Sequence, residues 1–190
     1  WTLRMPQTRE LAAESIVLLK NENVLPLAKQ TKIALVGAFA QNPRYQGGGS
    51  SHINPTRMDT LHEMLTEHFD NVSYAKGYDL AGDVPDLKLI DEACAISAAA
   101  DAVIVCAGLI DTYESEGFDR SHMRMPQSHT ALIEALCGMH KRVVVVLSNG
   151  SPVEMPWING AAEVVEAYIA GQGGANAIAA ILACEINPSG

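Results

Sequence analysis

The chain has 190 residues, 48% of them hydrophobic, and a formal net charge of −9. That is enough length and apolar content for one domain, 1–190, with a real core, and short for two. The acidic balance excludes a nucleic-acid partner, which would need a basic patch to seat phosphates, and the longest apolar runs are far too short to span a membrane.

Residues 8–21 predict an amphipathic helix, with Ala12, Ser15, Ile16 and Leu19 at helical spacing. Pro26 in NVLPL then breaks the pattern. KIALVGAF (32–39) has almost no polar face, as expected of a strand covered on both sides in a parallel sheet. A loop, QNPRYQGGGSSHINP, follows over 41–55, and Thr56-Arg57-Met58-Asp59 reads as a capping box opening a helix to about residue 69. A short strand at 72–75, a helix over 86–100 and a strand at 101–107 come next. Pro126 suits the first turn of a helix reaching about residue 140, with Leu132, Ile133 and Leu136 on its inner face. RVVVVLSNG (142–150) is a β-branched central strand, 162–170 a further strand, and 174–184 a closing helix. Strands alternating with helices predict right-handed crossovers: an α/β, three-layer sandwich with a mostly parallel five- to six-stranded sheet and helices on both faces.

In such a sheet, ligands sit at the carboxyl ends of strands. The strand DAVIVCAG (101–108) leads into ESEGFDR, Glu114 to Arg120, so Asp111, Glu114, Glu116 and Asp119 share one short loop. Crowded carboxylates repel, which predicts a raised pKa in at least one of them. A carboxylic acid that keeps its proton near neutral pH is what a glycosidase uses as general acid. A solvated acidic loop with no chemistry is the competing reading.

Other motifs exclude more than they assign. Gly47-Gly48-Gly49-Ser50-Ser51 allows close backbone approach, either to a ligand or in a tight turn against a neighbouring domain. It lacks the spacing of a dinucleotide fingerprint and the lysine of a phosphate loop. The six histidines are scattered; His62 and His68 are six apart, not at ligand spacing, and His122 alone stands near the acidic loop. No nucleophile elbow is present, since Ser148-Asn149-Gly150-Ser151 matches it only loosely. The acidic loop does not follow the EF-hand register, and no metal or cofactor is expected. Cys94, Cys106, Cys137 and Cys184 sit among apolar neighbours with no pairing pattern. They read as small buried residues of a protein kept in a reducing compartment, which favours the cytoplasm.

Five blocks in order carry a resemblance: AAESIVLLKNENVLPL (12–27), GGGSSHINP (47–55), ESEGFDR (114–120), VVVVLSNGSPVEMPWI (143–158) and AGQGGANAIAAILACEINPSG (170–190). Together they resemble the second, C-terminal α/β sandwich domain of glycoside hydrolase family 3, the β-glucosidase type. The resemblance implies a partner, an N-terminal barrel domain of the same parent chain that carries an aspartate nucleophile and is absent here. It implies a small oligosaccharide or glycoside as substrate. It places the general acid/base at Glu116, the glutamate before glycine, in preference to Glu114. It gives Asp119 and Arg120 supporting roles: Asp119 accepting backbone N–H groups and Arg120 gripping a carboxylate with two bonds. Ser50 and Ser51 become candidate sugar contacts. Retention needs two carboxyl groups about 5–5.5 Å apart across the scissile bond. All four acids lie in one loop, so the second is expected outside this chain and the isolated domain is expected to be inactive. Members that keep the acid/base on the barrel imply an alternative, a capping or sugar-binding module without acid/base chemistry.

Overall fold

The computed structural model describes residues 5–117 and 119–190; the side chains of Met5 and Ser51 are also outside the description. Within it, six strands form one sheet in the order β1-β6-β5-β4-β2-β3. They are β1 (Val17–Asn21), β2 (Lys32–Val36), β3 (Asn71–Ala75), β4 (Ala102–Gly108), β5 (Val143–Ser148) and β6 (Glu163–Glu166). β1 runs antiparallel to β6; all other pairs are parallel. The central ladder aligns Val36 with Val105 and Val105 with Val145. Every residue of β4 is buried, which is why the run carries no polar alternation.

The helices are α1 (Met5–Ser15), α2 (Leu61–His68), α3 (Leu87–Ser97), α4 (Gln127–Met139) and α5 (Gly174–Leu182). α5 packs against α1 and α2 on one face, and α3 packs against α4 on the other. Right-handed crossovers require this split: β2 steps outward to β3, whereas β3 steps back past β2 to β4. The connections therefore diverge between β2 and β4, and the crevice at their carboxyl ends is the topological switch point. No described helix is long and apolar enough to cross a membrane.

Three local expectations change. The helix expected over 8–21 is half helix and half strand. Ser15 Oγ donates to the Ala12 carbonyl at 2.8 Å at the helix end, Ile16 is fully buried, and Val17–Asn21 pairs with β6. Leu19, placed by helical spacing on an inner face, is 47% exposed; edge pairing overrides a propensity worth only tenths of a kcal/mol per residue. The capping box lies four residues later than expected, at Thr60 and Glu63, where Glu63 N–H donates to Thr60 Oγ1 at 3.1 Å and Thr60 N–H to Glu63 at 2.8 Å. Asp59 instead accepts from Arg57 and Asn176, which ties this loop to α5. Finally, the cysteines are not uniformly buried: Cys106 is, Cys94 and Cys137 are half-buried, and Cys184 is exposed.

Candidate active site

Three loops meet at the carboxyl edge of the sheet, following β2, β4 and β5. The β4 loop carries the four acids, the β2 loop the glycine run, and the β5 loop Asn149, Gly150 and Ser151. Between them lies a cleft of about 600 Å³, lined by Gly47, Gly48, Glu114, Glu116, Arg120 and Ser151 among others. Glu116 is exposed at this cleft. One carboxylate oxygen, Oε2, accepts the Ser50 backbone N–H at 2.7 Å and the Ser50 hydroxyl; Oε1 has no hydrogen bond among the described residues. A Cβ at Gly48 would stand 2.6 Å from Ser115 Oγ, and one at Gly49 (φ +79°) 2.5 Å from Glu116 Cβ. The glycine run thus seats its own domain's acidic loop, a third use beyond ligand approach and packing on a neighbouring domain. Ser51, the other serine singled out, has its side chain outside the described residues.

The acids do not crowd. Asp111 pairs with Arg44. Glu114 accepts Gly150 N–H at 2.8 Å and Ser151 Oγ–H at 2.7 Å. Glu116 faces Ser50. Asp119 is exposed and has no hydrogen bond among the described residues, so the expected backbone acceptor role is not seen. At Glu116 the shift is opposite to the expected rise: the Ser50 hydroxyl, then its N–H, holds it below the usual glutamate value, because both bonds favour the ionised form. Among the described residues Arg120 meets no carboxylate; it donates to Ser151 Oγ at 2.8 Å and the Pro152 carbonyl at 2.9 Å, with Nη1 buried and unpartnered. His122 lines the same cleft with a buried, unpartnered Nδ1. Among the described residues, no three His, Cys, Asp or Glu side chains converge as metal ligands.

Several residues, at this edge and elsewhere in the sheet, escaped the sequence reading. Arg44 in the β2 loop has a side chain only 6% exposed and reaches both Asp111 and Glu114. β6 carries two buried carboxyls that do sit above the usual value because burial disfavours their charge. Glu163 Oε1 accepts Val24 and Leu25 N–H, each at 2.7 Å. Glu166 accepts Tyr168 N–H at 3.0 Å and Asn149 Nδ2–H at 3.1 Å, and so anchors the β5 loop. Below β4, the buried His129 stacks on Tyr78 with ring centroids 3.7 Å apart, its Nδ1 3.1 Å from the Gly108 carbonyl. Burial lowers its pKa to about 4 and keeps it neutral. The pair of glutamates flanking two valines in Glu163-Val164-Val165-Glu166 was the available signal for a strand with two polar anchors.

These features define a doubly wound α/β sandwich domain that displays an exposed glutamate, Glu116, at its switch-point cleft. The sequence profile described as the Glycosyl hydrolase family 3 C-terminal domain matches residues 16–190, and the chain belongs to that family. It is 52% identical over 186 residues to thermostable beta-glucosidase B of Acetivibrio thermocellus, which aligns over 96% of this chain and 25% of that protein. It is 41% identical to an exo-alpha-(1->6)-L-arabinopyranosidase of Bifidobacterium longum, over 95% and 25% respectively. The crystal structure of a Bifidobacterium adolescentis GH3 beta-glucosidase superposes with a TM-score of 0.92 at 39% identity, covering 97% of this chain and 27% of that one. The chain therefore spans about a quarter of the length of the curated relatives it matches.

Proposed function

We propose that this chain is the second domain of a retaining β-glycosidase, in the first instance a β-glucosidase, and that Glu116 is its general acid/base. The observation that carries this reading is the exposed Glu116 carboxylate at the cleft, with one oxygen steadied by Ser50 and the other without a hydrogen bond among the described residues. Glu114 is the poorer candidate because both its oxygens are already engaged by the β5 loop. In the first half-reaction Glu116 gives its proton to the leaving oxygen while an aspartate outside this chain attacks the anomeric carbon. In the second it takes a proton from the attacking water. Ser50 holds the carboxylate at the cleft and can offer its hydroxyl to the sugar. The lowered pKa of Glu116 in the domain alone is wrong for a proton donor. A barrel domain closing over the cleft would remove water from the carboxylate, and a sugar oxygen would compete for the Ser50 hydroxyl; both changes raise it.

The sugar is set elsewhere. Relatives named for a glucosidase and an arabinopyranosidase activity share this domain at 52% and 41% identity, which supports placing the selecting contacts mostly on the barrel. The same low pKa supports a second reading, a capping and sugar-contacting module whose acid/base lies on the barrel. Replacing Glu116 by Ala in the full-length chain separates the two. The first reading expects hydrolysis of a glycoside with a poor leaving group to fall by roughly 100-fold or more, with rescue by azide; unchanged hydrolysis would establish the second. The domain alone is expected to show no turnover of an aryl β-glucoside.

A further inference from the structure

We propose that Arg44 is a positioning residue that, through Glu114, fixes where Glu116 stands in the cleft. This rests on the assignment of Glu116 as acid/base. The Arg44 side chain is 6% exposed; its Nε is buried without a hydrogen-bond partner, and the two terminal nitrogens carry the contacts that hold the buried charge. Nη1 donates to the Gln46 carbonyl of its own loop at 2.9 Å and to Asp111 across the crevice. Nη2 donates to the Glu114 backbone carbonyl at 2.8 Å and lies 3.9 Å from the Glu114 carboxylate. That carboxylate in turn accepts from Gly150 and Ser151. One planar fork thus joins the loops after β2 and β4, and Glu114 extends the joint to the loop after β5. Glu116 lies two residues beyond Glu114, and Ser50 six residues beyond Arg44. The Ser50–Glu116 contact is held in register by this bridge. A lysine could supply the charge but not the fork.

The test uses the full-length chain and two substrates that differ in their need for a proton: a dinitrophenyl glucoside, whose leaving group departs unaided, and an alkyl glucoside, whose leaving group does not. kcat/KM reports the steps through bond cleavage. In Arg44→Met, the ratio of dinitrophenyl to alkyl kcat/KM is expected to rise at least about fivefold, the same direction as in Glu116→Ala but smaller, because proton donation is impaired rather than removed. An equal fall on both substrates would mean that Arg44 only holds the fold, and would overturn the inference. Should Arg44→Met fail to fold, Glu114→Gln carries the same expectation and the same overturning result. If Glu116→Ala raises the ratio and Arg44→Met does not, only the positioning role fails. If Glu116→Ala leaves the ratio unchanged, the acid/base assignment fails and takes this inference with it.

Discussion

Two groups of carboxylates behave in opposite ways. Asp111, Glu114, Glu116 and Asp119 are dense in sequence, yet the fold turns them toward different partners or solvent. Glu163 and Glu166 stand alone in an apolar strand, and both are buried at 0% and 6% exposure. In the dense group Glu116 is held below its usual value; in the sparse group Glu163 and Glu166 are pushed up. Proximity along the chain is therefore a poor guide to a perturbed carboxyl. All three glutamates accept hydrogen bonds, so what decides the sign is burial: it outweighs the donors at Glu163 and Glu166 and does not at the exposed Glu116.

The largest expected effect falls on the buried pair. Glu163→Ala leaves the Val24 and Leu25 N–H groups without an acceptor, and urea unfolding should show a loss of about 3 kcal/mol. Loss of less than about 1 kcal/mol would put Glu163 on a par with the surface acids. Glu163→Gln keeps an acceptor for those donors and removes the titration. The parent's Glu163 titrates above its unfolded value of 4.5, so the native state holds a proton that the unfolded chain has released. Its contribution is full below that value and declines as pH rises through the raised one. The stability of Glu163→Gln relative to the parent should thus increase from about pH 4 to about pH 8, as measured by urea midpoints across that range. A constant difference would contradict the burial effect.

A smaller effect probes the other side of the comparison. Ser50→Ala removes the first cause of the lowered Glu116 value, so that carboxyl should titrate higher. In the full-length enzyme, the alkaline limb of kcat/KM against pH, which marks loss of the proton donor, should move to higher pH; a shift to lower pH would contradict the role given to the serine. The smallest change is expected at Asp119, which is exposed and unbonded: Asp119→Asn should alter stability by less than about 0.5 kcal/mol in thermal unfolding.

By itself, the sequence determined the layered α/β architecture, because runs such as 102–108 and 143–147 carry no charged or polar side chain and suit a sheet covered on both faces. It determined that ESEGFDR sits at the end of β4, since strand, glycine and acidic loop follow one another directly. It did not separate α1 from β1, because the helical spacing of 12–19 is local while the hydrogen bonds that make β1 come from β6, nearly 150 positions away. Nor did it show that the glycine loop and the acidic loop are one site. Ser50 and Glu116 are 66 positions apart, and Arg44 reads in the sequence as an ordinary surface cation until the switch point closes around it. Tertiary structure decided these points, because hydrogen-bond partners and loss of water depend on which strand ends the crossovers bring together.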